Sequence, residues 1–278
     1  MERAVGDCVA WSRGTALRLL TGAALGFACA GRPPPSAAPS PASAGWVQRF
    51  VVHDGVRIEY RVRAGTGGLP VVLIPGMSGS AASYEANAAL TAALGERTLV
   101  AISLRGRGAS DCPDRGWAPA DHHADVRAVI EAERLARYHL VGHSMGVAYG
   151  LGFALGRPHG EIASFVAADY FPAVIQVTEE WAQMVESSAP PRTYDPRFAR
   201  HILREQGSAD YAARLGELRL PMLAIFGTRS MEPEVEARYA TATELRVLWI
   251  QHGHDTFTSA DARSAITDHL ARAERPRG

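Results

Sequence analysis

Short apolar runs of strand length alternate along this chain with segments whose apolar positions recur at helical spacing. Residues 71–74, 98–104, 138–141, 162–168, 220–226 and 245–250 are continuous or nearly continuous apolar runs, as expected of strands covered on both faces. Between them, residues 121–137 place Val126, Val129, Ile130 and Leu135 on one side of a helix, and residues 147–155 are small, apolar and helix-compatible. Strand and helix in repetition predict an α/β fold with a mostly parallel sheet. The opening differs: residues 50–53 and 56–62 flank Asp54-Gly55, a two-residue hairpin signal, so antiparallel strands come first. One stretch interrupts the alternation. About residues 170–218, helical pieces near 178–186, 196–205 and 209–217 are broken at Pro190-Pro191, which predicts an insertion in a single domain covering residues 46–278.

The first 45 residues follow other rules. Arg3, Arg13 and Arg18 precede an apolar stretch ending in Ala28-Cys29-Ala30, so residues 1–30 are expected to be an export signal, too short in its apolar part for a stable membrane span. Two fates fit it: cleavage after Ala30, or lipidation at Cys29 as a membrane tether. Either implies a periplasmic, secreted or lipid-anchored protein of a bacterial envelope. Residues 31–45 are Pro, Ser and Ala without apolar periodicity, the composition of a disordered linker.

Composition then removes whole classes of function. The chain has 278 residues, 47% of them hydrophobic, and 29 basic against 29 acidic side chains, so no net field draws it to nucleic acid or acidic lipid. Every basic residue is arginine. The absence of lysine excludes P-loop phosphate binding, Schiff-base chemistry and Ser-Lys dyads. Cys112 is the single thiol of the expected domain, in a Ser-Asp-Cys-Pro turn with no base beside it, so no disulfide framework and no thiol catalysis is expected. His122 and His123 open the helix near 121 and read as a solvated helix start rather than metal ligands.

The chemistry concentrates at Gly142-His143-Ser144-Met145-Gly146, a G-x-S-x-G sequence between a strand-like run and a helix-compatible run. That context fits a sharp turn presenting Ser144 as a nucleophile, with near side-chain-free residues on either side so that strand and helix can approach.

With the loop Pro75-Gly76-Met77-Ser78-Gly79, the turn Arg105-Gly106-Arg107-Gly108-Ala109-Ser110 and the late Gly253-His254, the chain from residue 46 to 270 resembles the α/β-hydrolase superfamily, in particular serine esterases with a short cap between strands six and seven. The resemblance implies that His254 is the base, with His252 the alternative, and that the backbone N–H groups of Met77 and Met145 form an oxyanion hole. It implies that the arginine-glycine turn is structural. It also implies that Tyr170, Phe171 and Trp181 line an acyl pocket under the cap. The acid departs from the pattern: Gly227-Thr228-Arg229-Ser230 carries serine where an aspartate is usual, leaving Asp169 or, alternatively, Glu232 or Glu234 to orient the base. The implied activity is hydrolysis of a small or medium ester, lactone or related acyl substrate through an acyl-enzyme, with no cofactor and no metal. Related C–C hydrolysis or perhydrolysis, and a noncatalytic scaffold binding a small hydrophobic ligand, are the alternatives.

Overall fold

A computed structural model describes residues 45–190 and 192–275. The expected export signal with Cys29, and the linker up to residue 44, lie outside the described residues.

The antiparallel opening is present. β1 (Trp46–His53) and β2 (Val56–Arg63) pair in register from Trp46↔Arg63 to His53↔Val56. Asp54 and Gly55 take φ of 49° and 76°, the doubly left-handed turn that matches strand twist. The parallel strands follow as β3 (Val71–Ile74), β4 (Leu99–Ile102), β5 (Tyr138–His143), β6 (Ile162–Ala168), β9 (Pro221–Gly227) and β10 (Glu244–Ile250). One eight-stranded sheet results, in the order β1-β2-β4-β3-β5-β6-β9-β10. Only the β1–β2 and β2–β4 pairings are antiparallel.

Both faces of the sheet are covered, which is why its strands read as apolar runs. On one face α3 (Pro119–Ala132) and α4 (Met145–Ala154) pack over Val72 and Ile74. On the other α1 (Ala81–Ala86), α2 (Ala88–Ala93) and α7 (Ala260–Ala273) pack over Val71 and Leu73. Each of these fully buried aliphatic side chains contributes about 1.5–3 kcal/mol relative to exposure. The helices α1 and α2 have no counterpart in the sequence reading, because their Ala, Ser and Asn content carries no clear apolar period.

His122 corrects the expectation of a solvated helix start. It is fully buried, its ring stacks on Tyr149 with centroids 4.3 Å apart, and burial pulls its pKa down to about 3. It stays neutral, with Nδ1 donating to Ala118 O at 3.1 Å and Nε2 accepting from Arg107 at 3.3 Å.

The insertion after β6 carries α5 (Glu179–Ser187) and α6 (Phe198–Glu205). Residues 209–217 are not the third helix that the sequence suggests. Ala209–Asp210 forms β8 and pairs with β7 (Ala173–Val174), and Ala212–Leu218 is a 3-10 turn. That small sheet ties the two ends of the insertion together.

Candidate active site

Ser144 stands between the end of β5 and the start of α4 with φ 52° and ψ −136°. A non-glycine residue held there costs about 1–3 kcal/mol, which the packing around it must offset. The neighbours show how tight the turn is. A Cβ on Gly146 would lie 2.4 Å from the carbonyl oxygens of Ile74 and Pro75, and one on Gly142 would lie 2.7 Å from Gly146 O. Gly76 packs directly on Ser144: a Cβ there would lie 2.9 Å from Ser144 Cβ and 3.4 Å from its Oγ. The loop after β3 and the turn after β5 therefore meet at the serine, and Ser144 N also donates to Ala168 O, at the end of β6, at 2.9 Å. Met77 follows Gly76, and Met145 is the first residue of α4.

Asp169 closes β6, also with positive φ, 56°, and no exposed surface. Its Oδ1 accepts from Gly227 N at 2.7 Å, and its Oδ2 accepts from His254 Nδ1 at 2.7 Å. The pair is charge-assisted and geometrically fixed. A carboxylate on Nδ1 leaves Nε2 of the imidazole as the acceptor. Among the alternatives, Glu232 and Glu234 are exposed at the start of the 3-10 turn Pro233–Tyr239. Ser230, at the position usual for the acid, donates to Gly227 O at 3.1 Å and closes its own turn. His252 faces Gly253 O and Thr258 Oγ1, and Asp255 is exposed.

His143 is a residue that the sequence reading passed over. Its Nε2–H donates to the backbone O of His254 at 2.8 Å, and the two rings lie 4.9 Å apart. Burial, with the charge of His254 as the next cause, lowers the His143 pKa and so favours its neutral form. The His254 loop is also held by Thr256 N on His254 O at 3.0 Å and by Arg229 N on His252 O at 3.1 Å. No hydrogen bond joins Ser144 Oγ to His254 among the described residues; His143, next to Ser144 in sequence, is the bridge between the two loops.

A chain model described as the alpha/beta hydrolase family matches residues 71–277. The chain belongs to the α/β-hydrolase family. Within this family it is 33% identical over 143 residues to RutD of Variovorax paradoxus (strain S110), whose name assigns it provisionally to carbamate hydrolysis; the match covers 51% of this chain and 48% of that one. It is 33% identical over 121 residues to 2-(acetamidomethylene)succinate hydrolase of Mesorhizobium japonicum, covering 42% of this chain and 41% of that one. The chain thus spans about half the length of these curated relatives. Esterase RhEst1 from Rhodococcus sp. ECU1013 shares the fold, with a TM-score of 0.66 at 20% identity over 82% of this chain and 98% of that one.

The aromatic residues expected to line a pocket divide into two groups. Tyr170 and Phe171 stack with centroids 4.3 Å apart directly after Asp169, and Tyr239 Oη fixes Tyr170 O at 2.7 Å. Trp181 sits edge-on to Phe198 at 5.9 Å within the apolar interior of the cap, which also touches Met77. Cys112 is half-buried, and burial pushes its thiol up to about 11, so it is protonated at neutral pH. Among the described residues no group of three His, Cys, Asp or Glu side chains is arranged to hold a metal ion. A cleft of about 360 Å³ lined by Arg137, Arg157, His159 and Arg219 opens at the opposite end of the strands, where β6 and β9 begin.

Proposed function

We propose that this α/β-hydrolase family member is a serine hydrolase of small or medium acyl substrates, an ester, a lactone or a related carbonyl compound. The observation that carries this reading is the 2.7 Å bond between His254 Nδ1 and the buried Asp169, at the sheet edge where the strained Ser144 turn ends. Ser144 Oγ attacks the carbonyl carbon while His254 Nε2 takes its proton. The Asp169 carboxylate holds the tautomer and stabilises the imidazolium. The N–H groups of Met77 and Met145 are assigned to the oxyanion, and collapse of the tetrahedral intermediate expels the alcohol or amine, which His254 protonates. Water then attacks the acyl-Ser144 ester with His254 as base and releases the acid. The names of the relatives, one a carbamate hydrolase and one a hydrolase of an acetamido compound, support a leaving group that is oxygen or nitrogen.

The test is a fluorophosphonate probe together with p-nitrophenyl acetate and butyrate. The wild type is expected to label and turn over, and Ser144→Ala to do neither. Labelling that survives Ser144→Ala would sink the assignment.

A further inference from the structure

The arginine-glycine turn that the sequence resemblance made merely structural holds an unusual side chain. Arg107 is 1% exposed, yet among the described residues no carboxylate forms an ion pair with it. Its donors go to neutral groups instead. Nε–H donates to Met77 O at 2.7 Å, Nη1 donates to Arg105 O at 2.7 Å and to His122 Nε2 at 3.3 Å, and Nη2 reaches Met77 Sδ at 3.4 Å. The guanidinium carbon lies 4.4 Å from the ring centroid of Phe198, the first residue of α6 in the cap, and 6.0 Å from that of Trp117. Burial pushes its pKa below the usual arginine value, so the site holds this cation at a cost.

The same turn is the cap's anchor. Residue 107 bridges Tyr194, Gly108 N donates to Thr193 O at 2.6 Å, and Asp195 N donates to Gly106 O at 2.8 Å. Thr193 Oγ1 then donates to Ser78 O at 2.9 Å, in the loop that carries Met77. One side of Arg107 therefore grips the oxyanion loop and the other lies against the cap. A hydrophobic side chain of similar volume fills that space without the desolvation cost, and only the planar fork reaches two carbonyl oxygens and an aromatic face together.

We propose that Arg107 is a positioning residue that fixes the Met77 segment of the oxyanion loop and couples it to the cap. The inference rests on the serine-hydrolase reading. It acts through the backbone of Met77 and not on substrate. Misplacing one oxyanion donor weakens an interaction made in the transition state, so kcat falls while KM stays.

The experiment compares full-length wild type, Arg107→Met and Arg107→Lys by three measurements: melting temperature, kcat and KM per fluorophosphonate-titrated site, and amide hydrogen exchange of the peptide covering residues 75–80. Arg107→Met is expected to melt within roughly 5 °C of the wild type. Its kcat is expected to fall about 10²-fold with KM changed less than about threefold, and its 75–80 peptide to exchange faster. Arg107→Lys, which keeps the charge without the fork, is expected to fall between the two. Wild-type kcat together with wild-type exchange in Arg107→Met overturns the inference, as does a kcat loss that disappears after correction for titrated sites. Should Arg107→Met not fold, Arg107→Lys and Thr193→Val carry the test, and unchanged kcat and exchange in both overturns it. A wild type with no Ser144-dependent labelling fails the hydrolase reading instead, and the exchange measurement still reports whether Arg107 holds the loop.

Discussion

Asp169 shows what a single carboxylate gains from its place in a fold. It has a backbone N–H on one oxygen and an imidazole on the other, both at 2.7 Å, and no exposed surface. Asp169→Asn is expected to lower kcat by about 10⁴-fold with the protein folded, while Glu232→Gln, at an exposed position, leaves kcat unchanged. Steady-state kinetics on p-nitrophenyl butyrate distinguishes them, and a mild loss in Asp169→Asn would move the acid elsewhere. His143→Leu removes the 2.8 Å bond to His254 O. With His254 less well placed, this variant is expected to lose about 10²-fold in kcat if the proposed hydrolase reading holds, checked against unchanged melting. Both carboxylates were visible in the sequence as candidates. What the sequence lacked was direction: His143 occupies a position that the motif leaves free, and nothing in a linear pattern says that its ring crosses to a loop 111 residues later.

At the scale of elements, the site exists because β3, β5 and β6 are neighbours and end at the same edge. Val71–Ile74 pairs with His139 to Gly142, and residues 142–143 pair with Ala167 and Ala168, so the loops after them converge. The glycines set how closely. Gly146→Ala forces a methyl against two carbonyl oxygens at 2.4 Å and is expected to destabilise the fold by roughly 3 kcal/mol, read as a lower urea midpoint. Gly76→Ala meets the Ser144 side chain and is expected to abolish fluorophosphonate labelling while changing the urea midpoint less than Gly146→Ala does. The parallel strands were legible because burial on both faces makes them apolar throughout. The short helices α1 and α2 were not, since their helical state is decided by packing on β3 and β4 rather than by their own period. The β7–β8 pair, joining Ala173 to Asp210 and Val174 to Ala209 across the insertion, is likewise a tertiary product.

For the whole molecule, buried histidines set the response to acid. His122 folds with a pKa of about 3, and His123 and His269 with about 4, each lowered by burial from an ordinary 6.5. The unfolded chain therefore binds more protons below pH 6.5, and their stability is lost as pH falls from there toward 4. His53 has the opposite sign: its bond to Asp125 raises its pKa, so its contribution is full below 6.5 and fades as pH rises beyond. Burial lowers His139, His143 and His201 as well, and six against one leaves a net loss on the acid side, roughly 1.4 kcal/mol per pH unit for each excess proton. Urea midpoints measured between pH 7 and 4 are expected to fall steeply, with His269→Leu shallower by about one proton. An unchanged slope in that variant would mean that His269 is already charged in the folded state.

The sequence by itself determined the α/β architecture, the antiparallel opening, the insertion after β6 and the place of Ser144 in the tight turn between β5 and α4, because periodicity, hairpin chemistry and the glycine spacing of a tight turn are local properties. Tertiary structure alone decided which carboxylate faces His254, that His122 is interior rather than solvated, and that Arg107 lies buried between the loop after β3 and the cap. Those outcomes depend on where side chains from distant segments point once the sheet has closed, and direction in space is what a linear order of residues does not carry.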